Sequence, residues 1–294
     1  MTQGWDEVRQ VDFVAHRFSP AHIVDVLIEE RARHLLNNSF LWPLIRRFLY
    51  PLLHYQDAVK MADAIAPMSG RQAFDYLTSL LKLRTMVAGL EHVPREGGCI
   101  IVGNHPTGIA DGLALYQALK GVRDDLCFVA NQDALRVAPG LAEIVIPVEW
   151  VIDKRTFRKT REMWRKVRQA LGDGRALVMF PSGRVAQWKG TYLVDRPWQA
   201  ATITFATRNR VPIIPLRVSG ANSWIYYFFA QFSQELRDMT LFNELLNKQG
   251  KEFRLSFGPA RLPTQLSGDP EVEILRLKHY VEKDLPRDRP FKSV

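Results

Sequence analysis

From residue 84 onward, short and almost wholly apolar runs alternate with longer amphipathic stretches. The runs at 99–103, 126–131, 145–153, 176–181, 211–220 and 253–263 carry too few polar positions for strands with one wet face, and read as strands buried on both sides. A further strand opens at 84. Between them, 112–120, 156–174 and 197–209 repeat apolar residues at helical spacing, and 268–285 closes the chain as a helix. In the 156–174 stretch Phe157, Trp164, Val167 and Leu171 fall on one side, and Gly172 ends it. Residues 19–80 have a different texture and read as helices, with Ser19-Pro20 as N-cap and first-turn residues and Ile23, Val26, Leu27, Ala32 and Leu35 near helical spacing. Strands alternating with helices predict an α/β fold: a mixed, largely parallel sheet covered by helices on both faces. An N-terminal helical segment (1–80) precedes the main domain (81–294). No internal repeat or low-complexity segment interrupts this plan.

Composition adds charge to the picture. Among 294 residues, 40 Lys and Arg face 31 Asp and Glu, a net charge of +9. Anionic partners fit such a balance: phosphorylated ligands, acidic proteins, nucleic acid or an anionic lipid surface. The stretch 151–190 alone holds 11 basic and 3 acidic residues. Nucleic acid is not expected, since there is no zinc-ligand spacing, no helix-turn-helix signature and no interleaving of aromatics with the basic run. Cys99 and Cys127 lie in apolar runs without a second Cys or a His at metal spacing, so neither a metal site nor a disulfide framework is predicted.

The first residues carry acids where a signal peptide needs a basic and then an apolar run. No stretch reaches the ~18–20 uncharged apolar residues of a spanning helix. The expected location is the cytoplasmic side of a membrane, peripheral. Residues 40–66 mix bulky apolar groups with Arg46, Arg47 and Lys60. They read either as a helix pair packed on the main domain or as an interfacial helix whose apolar face enters lipid. The aromatic run at 223–232 suits a buried helix or a lipid contact equally.

The candidate chemistry begins where the strand 99–103 ends. "NHPTGIAD" (104–111) places Asn104 and His105 at a strand's C-terminal end, where open α/β sheets bind ligands. Pro106 holds His105 extended, and Gly108 permits a sharp turn. Asp111 falls in the first turn of the next helix, whose dipole favours an ionised carboxylate. The two side chains can meet only if the intervening loop folds back. If they do, Asp111 accepts the imidazole Nδ1–H and leaves Nε2 as a general base. No Gly-x-Ser-x-Gly elbow supplies a nucleophile: at "MFPSGRV" Phe180 stands in the first glycine position. The pair alone also fits a histidine satisfied in the core beside a helix-capping Asp. A second candidate site, "ALVMFPSGRVAQWKG", brings Arg184 and Lys189 into a loop after a strand, a way to present a guanidinium and backbone N–H groups to an anion.

Taken in order, four blocks resemble the glycerolipid and lysophospholipid acyltransferases, in particular their hemolysin-like branch. "NHPTGIAD" is similar to the family's His…Asp block, and "IPVEWVIDKR" (146–155) to its second block, which ends in a basic residue. "MFPSGRVA" (179–186) is similar to its Phe-Pro-Glu-Gly-Thr-Arg block, and "VPIIPLRVSG" (211–220) to its Val-Pro-x-x-Pro strand. The resemblance spans about residues 84–262. It implies that His105, oriented by Asp111, takes the proton of an acceptor hydroxyl, which attacks a thioester of coenzyme A or acyl carrier protein without an acyl-enzyme. No cofactor is implied beyond that acyl-CoA or acyl-ACP co-substrate. Asn104, Lys154, Arg155, Ser182, Gly183 and Arg184 are implied in substrate binding. Two departures stand out. Five residues separate His105 from Asp111, as in the hemolysin-like branch, and Ser182 replaces the usual Glu of the third block while Arg184 follows Gly183 directly. A lysophospholipid and a lyso-aminolipid are therefore both open as acceptors. An ester hydrolase using the same His–Asp pair on water, and a basic lipid- or nucleic-acid-binding protein, are the alternative readings.

Overall fold

The structure, a computed structural model, describes residues 21–149, 156–189, 192–266 and 268–287. Ser19, Pro20, Lys154 and Arg155 lie outside the described residues. Five helices come first: α1 (Ile23–Arg31), α2 (Arg33–Leu36), α3 (Leu41–Leu52), α4 (Tyr55–Ile65) and α5 (Gly70–Leu81). The start of α5 is fixed by a capping box, in which Ser69 accepts the Gln72 N–H and the Gln72 side chain returns to the Ser69 N–H. The remaining elements are β1 (Arg84–Ala88), β2 (Cys99–Gly103), α6 (Ile109–Leu119), β3 (Cys127–Asn131), α7 (Asp133–Val137), β4 (Val145–Val148), α8 (Phe157–Gly172), β5 (Ala176–Met179), β6 (Gln187–Lys189), β7 (Tyr192–Val194), α9 (Ala201–Asn209), β8 (Ile213–Val218), α10 (Trp224–Phe232), α11 (Gln234–Met239), α12 (Leu241–Leu246), β9 (Glu252–Phe257) and α13 (Pro270–His279).

Seven strands form one sheet in the order β1-β9-β8-β2-β5-β3-β4, and β6 pairs only with β7 in a small antiparallel hairpin. The five strands from β8 to β4 are parallel; β9 runs antiparallel to β8, and β1 parallel to β9. The sheet is therefore mixed and largely parallel, as the pattern predicts. Because side chains alternate across a strand, Cys99 and Ile101 enter the core on one face while Ile100 and Val102 enter the other. The first core includes residues of α1, α4, α5, α6 and α12; the second is closed by α8, α9 and α13. That two-sided burial is why β2, β5 and β8 carry uninterrupted apolar runs.

Three local expectations change. Phe157, placed above on the buried side of α8, is 85% exposed, and the core contacts start two turns later with Trp164, whose ring lies 3.8 Å from that of Phe205. The helix read over 197–209 starts only at Ala201, because Trp198 is buried in the preceding turn with its indole N–H donated to Asp195. Lys189 stands in β6 instead of a loop.

Candidate active site

The chain leaves β2 at Gly103 and is clamped at once. Asn104 donates to the Val218 carbonyl and accepts the Val218 N–H, both at 2.8 Å, so its amide prolongs the β2–β8 pairing by one residue. It is buried and committed to backbone, which makes it the anchor of the loop; the substrate contact expected of it finds that edge of the amide already taken. His105 is pinned on both sides of its own backbone. Its N–H donates to Asp195 Oδ2 at 3.3 Å, and its carbonyl accepts the Ala186 N–H at 2.8 Å.

The loop does fold back. Gly108 adopts φ 93° and ψ −130°, a conformation open to glycine alone, and this reversal carries Asp111 beneath the imidazole. Asp111 is fully buried, and one of its carboxylate oxygens lies 3.0 Å from His105 Nδ1. The approach is out of line for a straight hydrogen bond. The carboxylate also accepts the Thr107 N–H at 2.9 Å, the Gly108 N–H at 3.1 Å and the Thr107 hydroxyl. These three donors hold the carboxylate at the start of α6 in place. On the other side the imidazole lies flat on Phe180, with ring centroids 4.3 Å apart and planes 17° apart. Nδ1 is buried, so the exposed part of the ring lies away from it. The arrangement can hold one tautomer of a histidine and offer the other nitrogen outward.

The turn after β5 packs over this pair. Gly183, at φ 60°, closes it by donating its N–H to the Phe180 carbonyl at 2.9 Å, so that N–H is no longer free to meet an anion. The buried Ser182 hydroxyl faces two acceptors, the Arg184 carbonyl at 2.9 Å and the Asp195 carboxyl. Arg184 itself is exposed and makes no salt bridge among the described residues. Of the second block only the residues up to Glu149 are described; the buried Glu149 carboxylate meets Gln132 and Lys159.

Two features escape sequence reasoning. Asp195, buried behind His105, has its carboxyl pushed above the ordinary range by burial, against the pull of the Trp198 indole N–H, the nearby imidazole and the Ser182 hydroxyl. Nothing in "YLVDRPW" marks it, because the partner it supports is 90 residues away. The second is a group of guanidinium side chains. Burial and the neighbouring Arg184 and Arg237 lower the proton affinity of Arg196, whose Nε is buried with no partner among the described residues. Arg237 pairs with Asp238 at 2.6 Å. Three cations offset by one local carboxylate attract an anion.

Beside Phe180, on the side toward α8 and α9, lies a cavity of about 410 Å³. Its apolar lining includes Val129, Met163, Trp164, Met179 and Phe205, with Phe180 as the wall it shares with the His105 stack. Cys99 and Cys127 are both buried, with thiols pushed up by burial, Cys99 to about 11, so neither is poised as a nucleophile.

Residues 84–219 match the family model described as Acyltransferase. A lyso-glycine lipid O-acyltransferase of Phocaeicola vulgatus is 28% identical over 185 residues, 60% of this chain; the match spans 64% of that relative's length. A protein of the same name from Bacteroides thetaiotaomicron is 23% identical over 217 residues, 72% of this chain and 78% of its own. The crystal structure of the LPA acyltransferase PlsC from Thermotoga maritima superposes with a TM-score of 0.45 and 14% identity, over 89% of this chain and 95% of that one. The stretch that matches the Acyltransferase family model, residues 84–219, holds the His105–Asp111 pair, the turn after β5 and strand β8.

Proposed function

We propose that the protein is an O-acyltransferase that moves a fatty acyl group from a thioester to the hydroxyl of a lysolipid at a membrane surface. The observation that carries this reading is the buried Asp111 carboxylate 3.0 Å from His105 Nδ1, with no serine or cysteine hydrogen-bonded to the imidazole among the described residues. A base without a protein nucleophile suits direct deprotonation of a substrate alcohol. In the reaction His105 Nε2 removes the acceptor's hydroxyl proton as the oxygen attacks the thioester carbonyl. The C–S bond then breaks, and the same proton passes to the departing thiolate, so an ester and a free thiol result. A positioned base contributes roughly 10²–10⁴ in rate, and holding both reactants together supplies much of the rest.

The acyl chain occupies the cavity walled by Phe180, whose size falls in the usual range for ligand pockets. Arg184, Arg196 and Arg237 draw the anionic head of the acceptor. The donor is a thioester of coenzyme A or acyl carrier protein. That two relatives are named for O-acyl transfer to a lysolipid supports the reaction class.

The membrane-surface reading rests on two exposed apolar stripes. On α3 and its N-cap, Phe40, Leu44, Phe48 and Leu52 recur every four residues and are all exposed; on α10, Trp224, Phe228 and Phe232 do the same. The helices are linked in space, since α3 packs on α2, α2 on α11, and α11 on α10. Arg46, Arg47 and Lys60 flank the first stripe and are exposed. No helix of the described residues is long and apolar enough to cross a membrane. Such stripes suit interfacial binding.

The test is to incubate purified protein with a panel of lysolipids and labelled acyl-CoA and acyl-ACP, reading lipid extracts by mass spectrometry. Acylated lysolipid is expected. Release of free fatty acid alone, with no acylated lipid, would replace transfer by hydrolysis.

A further inference from the structure

The outer side of α8 carries a row of charge that the reaction above leaves unused. Arg158, Arg161, Arg165 and Arg168 follow one another at intervals of three, four and three residues, so they share one face of the helix. All four are exposed, and none makes a salt bridge or a side-chain hydrogen bond among the described residues. The lysines of α8 differ: Lys159 meets the buried Glu149 at 3.1 Å, and Lys166 meets Glu162 at 3.4 Å. Four like charges in file along one helix face repel each other, and a partner of opposite sign relieves that repulsion.

The row runs beside the acyl cavity. β4, β3 and β5 are parallel, and α8 leads from the carboxyl end of β4 back to the start of β5. Its first turns therefore lie at the end of the sheet that carries His105. Met163 and Trp164, on the inner side of α8, line the cavity walled by Phe180. One helix thus turns its apolar side to the cavity and its arginines to solvent. Phe157 stands exposed at the N-terminal end of the row, an aromatic beside two guanidinium groups, the pairing that anchors many protein interfaces.

Three anionic partners are open to such a row, and placement separates them. A bilayer is met by α3, which packs on α4 over the first core, whereas α8 closes the second core on the opposite face of the sheet. A flat membrane held by α3 leaves the arginines on the far side. Coenzyme A gathers its phosphates around one nucleotide and calls for donors collected at one spot. The arginines are instead strung over ten residues, about 15 Å of helix. A length of that kind matches the acidic face of a second folded protein.

We propose that the outer face of α8 is the docking surface for an acidic acyl carrier protein, whose carboxylates lie along Arg158, Arg161, Arg165 and Arg168 while its acyl-bearing arm enters the cavity beside Phe180. The inference rests on the acyltransferase reading and chooses between its two donors. Charges of this exposed kind act chiefly on the rate of encounter and on its salt dependence.

The test measures transfer to the lysolipids of the panel from two donors with the same chain, palmitoyl-ACP and palmitoyl-CoA. Reversing two charges together, Arg161→Glu with Arg165→Glu, is expected to lower kcat/KM for palmitoyl-ACP roughly ten-fold or more, with kcat at saturation unchanged. It also flattens the fall of that kcat/KM with rising salt. The same variant keeps its melting temperature, its kcat/KM for palmitoyl-CoA and its sedimentation with phosphatidylglycerol vesicles. Arg254→Glu, which reverses an exposed charge on β9 instead, leaves both donors at wild-type rates. Equal losses with both donors would assign the row to the nucleotide, and lost vesicle binding would assign it to the membrane; either overturns the proposal. An equal loss in Arg254→Glu overturns it as well, since net charge and not the row would then be responsible. Transfer from palmitoyl-CoA alone by the wild type overturns it while leaving the acyltransferase reading intact. Transfer from neither donor removes both.

Discussion

Asp195 accepts the backbone N–H of His105 at 3.3 Å, and the same oxygen takes the indole N–H of Trp198 at 2.8 Å. A buried carboxyl thus holds the candidate base in place from behind without touching its ring. Since burial raises its folded-state pKa above the unfolded value, Asp195 favours folding most when protonated in both states. The stability it contributes is present below the ordinary aspartate range and falls as pH rises through the raised folded value. We expect Asp195→Asn to lose donors' partners equally at all pH, but to lack that fall. In urea unfolding from acid to neutral pH, the variant therefore gains on wild type as pH rises and then levels off. A difference independent of pH would show that Asp195 is ionised as readily in the fold as outside it.

His105→Ala is expected to abolish acyl transfer and leave the melting temperature and vesicle binding unchanged, because the ring is a partly exposed cap on Phe180. Asp111→Asn should lower kcat by roughly 10²–10⁴, with KM little altered, since the amide can present an N–H to Nδ1 and hold the wrong tautomer. Steady-state kinetics on the two variants checks this. Transfer at the wild-type rate in His105→Ala would remove the mechanism.

Gly108→Ala tests the backbone reversal. With φ 93° and ψ −130° a side chain is strained even though its Cβ would meet only Val185 Cγ2, at 3.4 Å. The expected cost is about 1–3 kcal/mol of stability, accompanied by a loss of kcat as Asp111 shifts. Calorimetry and kinetics on one preparation would read both. An alanine tolerated without either loss would mean the loop reaches Asp111 another way.

The two exposed stripes predict additive effects on lipid. Phe48→Ser and Trp224→Ser should each weaken sedimentation with anionic vesicles several-fold, each removing a large apolar side chain from the contact. Raising the salt should weaken binding further through the basic residues, with the apolar part persisting. Binding indifferent to both substitutions would turn the stripes toward another partner.

The strands of the sheet are legible because two-sided burial leaves a one-dimensional trace: Cys99–Gly103 and Ile213–Val218 read as strands without any knowledge of their neighbours. The His105–Asp111 pair is legible as a possibility, because Pro106 and Gly108 announce a turn between them. Asp195 is not. It acquires its place from a contact with His105, far along the chain, and belongs to no periodic run. The hairpin of β6 and β7 is hidden for a different reason: strands of three residues are too short to establish an alternation. Strand order is also beyond periodicity, which carries no record of which strand lies beside which.

That order bears on any attempt to trim the protein. The family match ends at residue 219, yet β9, at Glu252–Phe257, is the strand wedged between β1 and β8. A fragment cut to the matched boundaries would keep β1 with nothing to join it to the rest, and would bare the flank of β8 as an unpaired edge that other copies could extend. Deletion libraries should find soluble protein only when the C-terminal quarter of the chain is retained.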